Sequence, residues 1–300
     1  MKLEFKILNN NYLTVKQVLK EHFKISDRLL LKLKKNQKIY LNNKKTFVNQ
    51  IVNINDTILI DLDYEEETEN IIPSKMDLKI IYEDDAFLII NKPSNMPVHP
   101  SILHFKDSLS NGVKFYFNSI NLFKKIRPVN RLDKDTSGIV IFAKNEYIQE
   151  ALIRQMKSNV FKKEYLSILE GHLEHSSGVI NAPISRKDGS IIEREINSNG
   201  EYAITHFELI KNFENNDNNL SLVKFILETG RTHQIRLHSK YIGHPILGDS
   251  LYNKHSILIP RQALHAYKVT FFHPISKERF CLETELPDDM KNLLKNSLIL

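Results

Sequence analysis

Apolar positions in the first 62 residues follow two different periods. The first half of this segment predicts two amphipathic helices, the second beginning after an N-cap at Ser26. The stretch KIYLNNKKTFVNQ predicts two strands around residues 42–45, and residues 52–62 predict more strand. The apolar positions of the helices are Val15, Val18, Leu19 and Phe23, then Ile25, Leu29, Leu30 and Leu33. Residues 1–62 therefore predict a small α+β domain.

From residue 76 onward, short strand-like runs dominate and helical patterns are few. The predicted strands are residues 78–82, 87–91, 139–143, 165–169, 220–227 and 268–272. The predicted helices are residues 145–156, residues 232–242 and a tail that starts at Pro287. ENNDNN at 214–219 predicts a hairpin loop. Many strands with sparse helices predict an α+β fold with a mixed, largely antiparallel sheet over residues 76–300.

The net charge of +6 is unevenly distributed. Residues 1–60 hold 12 Lys/Arg against 4 Asp/Glu, residues 61–75 hold 1 against 6, and the remainder holds 29 against 26. Residues 63–75 therefore read as an acidic linker. A basic head predicts contact with a polyanion, and Arg28, Lys32 and Lys35 share one helix face for it. The alternative is that lysine is surface filler in a Lys-rich chain.

Composition narrows the class of protein. Apolar residues make up 41% and charged residues 26%, which is typical of a globular chain. No window has the length of apolar sequence that a membrane helix needs, and MKLEFKILNN lacks the apolar core of a signal peptide. The single cysteine, Cys281, excludes an internal disulfide and a thiolate cluster. These features predict a cytoplasmic enzyme or binding protein with no membrane partner.

The segment RPVNRLDKDTSGIVIFAK, residues 127–144, places Asp133 among basic residues just before an apolar strand. It is either a salt-bridged turn or an acid kept ionised for chemistry. Asp135 offers a second carboxylate for a metal, but Arg131 and Lys134 are poor neighbours for a cation. Neither a Gly-rich phosphate loop nor a G-x-S-x-G elbow occurs. A carboxylate used directly is the chemistry that remains.

Three further segments offer partners for this acid. In ETGRTHQIRLHSKYIGHPILGDSLY, Gly230 permits a turn, Thr232 is a helix cap, and Arg231 is a candidate bidentate partner of Asp133. Arg236 continues the basic face, whereas His238 and His244 are expected to be structural. Tyr165 in FKKEYLSILEG offers a stacking face and a phenol, or is an ordinary strand tyrosine. Lys92, in LIINKPSNMPVHP, is expected to face phosphate.

These segments, in this order, resemble the RluA-type family of pseudouridine synthases. The resemblance rests on NKPSNMPVHP, RPVNRLDKDTSGIVIFAK, KKEYLSILEG and ETGRTHQIRLHSKYIGHPILGDSLY over about residues 78–275, and the head resembles an S4-type RNA-binding domain. It implies that a uridine is flipped out of folded RNA, that its C1′–N1 bond is replaced by a C1′–C5 bond, and that no cofactor is used. Large-subunit (23S) rRNA is the first expected partner and tRNA the second, with a monomeric enzyme and no metal.

The resemblance also assigns roles to residues. Asp133 is implied to be the catalytic aspartate, by covalent attack or by proton abstraction that gives a glycal. Arg231 is implied to pair with Asp133, Tyr165 to stack on the uracil, and Arg131 to fill the space left by the flipped base. The residues expected to contact RNA are Arg131, Lys92, His233, Gln234 and Arg236 in the body and Arg28, Lys32 and Lys35 in the head.

Two positions depart from the family pattern, and two other functions compete. Asn130 stands where a histidine often precedes R-L-D, which puts local RNA contacts in doubt. Asn95 stands where glycine is usual, but asparagine tolerates the left-handed conformation, so the turn is expected to survive. The competing functions are a non-catalytic RNA-binding or ribosome-assembly factor, and a metal-dependent nuclease that uses Asp133 and Asp135.

Overall fold

The computed structural model of the chain describes residues 1–64, 66, 71–215, 217–253, 256–295 and 298–299. Residues 65 and 67–70 of the predicted linker, and residue 216 of the predicted hairpin loop, lie outside these ranges. The rest of that loop is seen: two long strands end and begin at Asn215 and Asn218, which pair directly, so the hairpin is confirmed.

The head contains the predicted helices and hairpin. Ser26 caps the second helix, because its hydroxyl accepts a hydrogen bond from the Leu29 amide at 3.2 Å. Asn42 and Asn43 both have positive φ and form the hairpin turn. The elements are β1 (Lys2–Lys6), α1 (Val15–Gln17) running into a π-helical turn (Val18–His22), α2 (Asp27–Lys35), β2 (Ile39–Leu41), β3 (Lys44–Lys45) and β4 (Thr57–Asp61). The sheet has the order β1-β4-β2-β3, and β1 was not predicted.

The body is an 11-stranded sheet with helices beside it. Its main path runs β10-β13-β14-β9-β15-β8-β6-β5, with β7, β16 and β17 attached to its sides, while β11 and β12 form a separate hairpin. Its elements, in chain order, are β5 (Ile80–Glu83), β6 (Phe87–Lys92), α3 (Leu109–Ser119), β7 (Arg127–Pro128), β8 (Ser137–Ala143), α4 (Glu146–Lys157), β9 (Lys162–Glu170), β10 (Ser177–Asn181), β11 (Ile184–Arg186), β12 (Arg194–Ile196), β13 (Ile204–Asn215), β14 (Asn218–Leu227), α5 (Gln234–Tyr241), β15 (Leu264–Phe272), β16 (Arg279–Glu283), α6 (Asp288–Lys295) and β17 (Leu298–Ile299).

The β8–β15 pairing is parallel and the other pairings among the described strands are antiparallel, so the predicted mixed, largely antiparallel sheet is confirmed. Gly138 permits the parallel contact: its φ is 115°, and a Cβ there would lie 2.2 Å from the Ala266 carbonyl oxygen. The start of α5 differs from the prediction in a way that affects the site. Helix α5 begins at Gln234 after His233, not at His233 after Thr232.

Both faces of the central strands are buried. In β6, Leu88 and Ile90 belong to one hydrophobic core, whereas Phe87 and Ile89 belong to a second core on the other face. This alternation explains why the strand is apolar throughout its centre. The second core also contains Leu29 and other head residues together with α4, so the head and the sheet share one core.

Candidate active site

Asp133 lies in the loop between β7 and β8, where its backbone forms a turn closed by a hydrogen bond from the Thr136 amide to the Asp133 carbonyl at 3.1 Å. The loop is held from outside by cations. The Lys134 carbonyl accepts from the Lys92 ammonium at 2.9 Å, and the Asp135 carbonyl accepts from the Arg261 guanidinium at 3.1 Å. The carboxylate of Asp133 therefore projects from a backbone that is fixed at successive residues.

Lys92 does not face solvent, so the expectation that it meets RNA phosphate is wrong. Its side chain is fully buried, and its Nζ donates to the carbonyls of Pro93, Met96 and Lys134 at 2.8, 2.8 and 2.9 Å. Burial lowers the pKa of Lys92 to about 7, with Asp135 and Asp133 opposing the shift. Lys92 instead ties the turn after β6 to the loop of Asp133.

The arginine on Asp133 is Arg236, not the predicted Arg231. The Nη1 of Arg236 donates to Asp133 Oδ2 at 3.1 Å. Its Nε and Nη2 donate to the two carboxylate oxygens of Asp249 at 2.7 and 2.6 Å, and both of these side chains are buried. Burial alone lowers the pKa of Arg236, but Asp249 and then Asp133 outweigh this and raise it.

Arg231 points elsewhere. It pairs with Glu201 at 2.5 Å and donates from Nε to the Tyr202 carbonyl at 2.9 Å, although it lines the opening around Asp133. The expectation that Arg236 contacts RNA is corrected in the same way, because its guanidinium is occupied by two carboxylates. Asp249 was not predicted from the sequence, because GDS indicates only a turn and nothing in it indicates a pairing with an arginine.

The turn before α5 explains why Arg236, and not Arg231, reaches Asp133. His233 has a φ of 59°, which is rare for a residue with a side chain and marks a constrained backbone. Its Nε2 lies 3.8 Å from Asp133 Oδ2, its Nδ1 is 2.9 Å from the Tyr252 hydroxyl, and burial lowers its pKa. The reversed backbone at His233 starts the helix so that Arg236 faces Asp133.

Gln234 holds this turn and is not free to contact RNA. Its Oε1 accepts from the Arg231 amide at 2.9 Å and from the Thr229 hydroxyl at 2.8 Å. Its Nε2 donates to the Ile204 carbonyl and the Thr205 hydroxyl, both at 2.9 Å. All four hydrogen-bonding positions of the amide are used, so the RNA-binding expectation for Gln234 is wrong.

Tyr165 and Asp133 line one cleft of about 500 Å³, which we call the Asp133 cleft. Its lining includes Val98, His99, Asn130, Arg131, Leu132, Met156, Lys163, Leu227, Gly230, Arg231, Thr232 and His233. Burial and the charge of Asp133 raise the pKa of the Tyr165 phenol. The cleft thus places an apolar ring with a protonated phenol beside a carboxylate held by arginine.

Asn130 and Arg131, which precede Leu132 and Asp133 in the motif, have opposite environments. Arg131 is exposed at the mouth of the Asp133 cleft, where its RNA contact stays a prediction. Asn130 is buried, and its side chain donates to the Ile139 carbonyl and accepts from the Ile141 amide at 2.9 and 3.0 Å. Asn130 therefore braces β8.

Two further predictions are confirmed. At Asn95 the φ of 58° confirms the expected left-handed turn, and buried hydrogen bonds confirm His238 as structural.

The three head cations do not lie on one free surface. Lys32 pairs with Glu146 at the start of α4, and Arg28 approaches the same carboxylate at 3.3 Å. Lys32 therefore links head and body, which corrects its expected role in RNA binding. Lys35 is exposed and stays a candidate.

The structure offers little to a metal ion. Across the ranges given above, no group of three or more His, Cys, Asp or Glu side chains converges as a metal site would require. Helices long and apolar enough to cross a membrane are likewise absent from the part of the chain that is described.

Known RNA pseudouridine synthases are similar to this chain. The family model described as RNA pseudouridylate synthase matches residues 86–241, which include Asp133, Tyr165 and Arg236. The uncharacterized RNA pseudouridine synthase YhcT of Bacillus subtilis is 40% identical over 278 residues, covering 93% of this chain and 91% of that protein.

Two further relatives agree. The ribosomal large subunit pseudouridine synthase D of Blochmanniella floridana is 35% identical over 76% of this chain and 75% of its own length. The solved structure of human RNA pseudouridylate synthase domain containing 1 is 26% identical, with a TM-score of 0.57, over 70% of this chain and 83% of that one. The motifs, the fold and these relatives agree, and the chain belongs to the RluA-type family of RNA pseudouridine synthases, which are isomerases acting on RNA.

Proposed function

We propose that this enzyme converts uridine to pseudouridine in 23S rRNA, with Asp133 as the catalytic carboxylate. The observation that carries the role of Asp133 is its ion pair with Arg236, which is itself anchored by buried Asp249. Arg236, which carries its charge at any pH the protein meets, fixes the orientation of this carboxylate at the Asp133 cleft. The salt-bridged turn and the active carboxylate, which were alternatives from sequence, are thus compatible here.

The cleft supports an isomerisation without a cosubstrate. A flipped uracil would stack on Tyr165 while the Asp133 carboxylate meets the sugar or the base. The C1′–N1 bond breaks, the base turns, the C1′–C5 bond forms, the C5 proton is removed, and N1 gains a proton. Because the phenol of Tyr165 has a raised pKa, it would remain protonated and available to donate a hydrogen bond near neutral pH.

Assignment to 23S rRNA rests on the relatives and on the basic head. Several matching proteins are named as ribosomal large subunit pseudouridine synthases. The head presents a groove lined by Lys34, Lys35, Lys45 and Phe47, and Phe47 is 82% exposed. Lysines beside an exposed aromatic ring suit an RNA backbone with an unstacked base.

The role of Asp133 is tested by Asp133→Asn, with Asp135→Asn as the matched control in the same loop. Tritium released from C5-labelled uridine in 23S rRNA reports turnover. We expect Asp133→Asn to lower kcat by at least about 10²-fold, and Asp135→Asn to retain most of the activity. Equal activity in Asp133→Asn and the wild type would refute the assignment. RNA cleavage that EDTA abolishes would favour the nuclease alternative, whereas tritium release by the isomerase should be indifferent to EDTA.

The substrate is tested by mapping pseudouridines in a strain that lacks the protein. We expect one or more sites in 23S rRNA to revert to uridine, and to be restored by the wild type but not by Asp133→Asn. Loss of sites in tRNA alone would refute the rRNA assignment and leave the isomerase activity standing.

A further inference from the structure

The Asp133 cleft contains a cation that the chemistry described above does not use. Lys163 lies on β9 two residues before Tyr165, and successive side chains of a strand alternate between faces. Lys163 and Tyr165 therefore project to the same side, and both line the cleft. The neighbouring Lys162 is exposed on the opposite face.

No carboxylate of the described residues pairs with the ammonium of Lys163. Within the described ranges, it makes neither a hydrogen bond nor an ion pair, although its side chain is only partly exposed. The carboxylate of Asp133 is committed to Arg236, and Arg231 takes Glu201. Burial lowers the pKa of Lys163, which is the cost of holding a charge without a partner.

Gly230 leaves the ammonium uncovered. A Cβ built on this glycine would lie 3.2 Å from Lys163 Nζ, which is closer than most side-chain contacts. Its φ is not in the left-handed region, so the backbone conformation does not require glycine here. The absence of a side chain keeps open the space where a ligand atom could reach Lys163.

We propose that Lys163 binds a phosphate that flanks the flipped uridine, an assignment that rests on the proposed function. The α-carbons of Lys163 and Tyr165 are about 7 Å apart along the strand. A base stacked on Tyr165 therefore has its own sugar-phosphate backbone near Lys163, while Asp133 meets the sugar. An unpaired ammonium in a partly dehydrated cleft attracts a phosphodiester strongly and positions the nucleotide for reaction.

The inference is tested in the full-length enzyme with Lys163→Met, Lys163→Gln, Lys163→Arg and, as the matched control, Lys162→Met. Steady-state kinetics on 23S rRNA labelled at uridine C5 are measured over a range of salt concentrations. We expect both neutral variants at 163 to raise KM at least tenfold with a smaller change in kcat. The logarithmic dependence of KM on salt should become shallower by about 0.7, the value for one single-stranded phosphate. Lys163→Arg should stay near the wild type, and Lys162→Met within about twofold.

The possible outcomes distinguish a wrong phosphate assignment from a wrong proposed function. A loss confined to kcat would overturn the phosphate assignment and place Lys163 on the base. Neutral variants at 163 that match Lys162→Met would also overturn it, while leaving the proposed function intact. Wild-type protein that forms no pseudouridine in rRNA would refute the proposed function and this inference with it.

A second arm uses a stem-loop of the modified site with neutral methylphosphonate linkages on both sides of the target uridine. On this RNA, the KM of the wild type should rise by the factor that Lys163→Met causes on normal RNA. The KM of Lys163→Met should rise little further, because the substitution and the neutral linkages remove the same interaction. Full additivity of the two losses would overturn the proposal even if some variants are destabilised.

Discussion

Asp249→Asn tests the support that the structure gives to the catalytic carboxylate. Asp249 never approaches the cleft, yet its two oxygens receive Nε and Nη2 of Arg236 at 2.7 and 2.6 Å. Asparagine keeps the shape and one acceptor oxygen, but it turns an amide donor toward a guanidinium donor. The change therefore removes one hydrogen bond and the negative charge without creating a cavity.

The size of the effect follows from burial. Breaking a buried ion pair by removing one partner costs about 3–5 kcal/mol, because a charge is left uncompensated. Asp133 remains as a second acceptor for Arg236, which favours the lower end of that range. For 300 residues the unfolding entropy is about 0.6 kcal/mol per kelvin, so Tm should fall by about 5–8 °C. Arg236 loses its anchor, and a displacement of about 1 Å at Asp133 can cost up to 10²-fold in kcat.

The matched control is Asp289→Asn. Asp289 forms the same two-point pair with Arg261, at 2.7 and 2.8 Å, but its side chain is 37% exposed. Arg261 is buried, but it keeps the carbonyls of Asp135 and Gln262 as acceptors, and water reaches the partly exposed Asp289. The loss should therefore be about 1 kcal/mol, and Tm should fall by about 2 °C. Differential scanning calorimetry and kcat, measured well below both transitions, give the comparison. Equal Tm shifts, or a larger loss of kcat in Asp289→Asn, would refute the proposed support of Asp133 by Asp249.

Three other substitutions separate structural from RNA-binding lysines. The pKa of Lys92 is about 7 in the folded chain and about 10.5 in the unfolded chain. Between these values the unfolded chain holds a proton that the folded chain has released, so the contribution of Lys92 to the free energy of unfolding increases as pH rises from 7. The difference in free energy of unfolding between the wild type and Lys92→Met, measured by urea unfolding, should therefore grow by up to about 2.7 kcal/mol between pH 7 and 9. A difference that does not change with pH would mean that the three carbonyls keep the ammonium charged. Lys32→Met should lower the free energy of unfolding by about 1–3 kcal/mol, because buried Glu146 loses a partner, and leave RNA affinity nearly unchanged. Lys35→Met should do the reverse in a salt-dependent binding assay, and equal losses of affinity in the two variants would contradict the placement of Lys32 at the junction.

Helix phase and backbone reversal explain why the sequence pointed to the wrong arginine. GRTHQIR contains two arginines five residues apart, and either can reach a carboxylate from the start of a helix. The choice depends on the positive φ of His233, which starts α5 at Gln234 and turns Arg236 inward. Residue types alone carry no record of that reversal, because a histidine adopts the left-handed region more often than most residues but still in only a small minority of positions.

Local sequence patterns were sufficient to predict much of the secondary structure. The apolar periods, the Ser26 cap and the Asn42-Asn43 turn predicted the head, and the runs around β6, β8, β9 and β14 predicted the largely antiparallel sheet. These features depend on neighbours within a few residues, which the sequence states directly. The motifs likewise located Asp133 and Tyr165 in the family, and both line one cleft.

The tertiary structure decided where charged side chains go. Lysine and arginine are expected at the surface, yet Lys92 and Arg236 are buried, and each binds acceptors both nearby in the sequence and in the distant loop of Asp133. The sheet order places β15 beside β8 and β9 on the other side of β15, and the segment between β9 and β15 brings Asp249 and Arg261 around the loop of Asp133. Partners separated by more than a hundred residues are set by this packing, since hydrogen-bond geometry exists only between elements already in place.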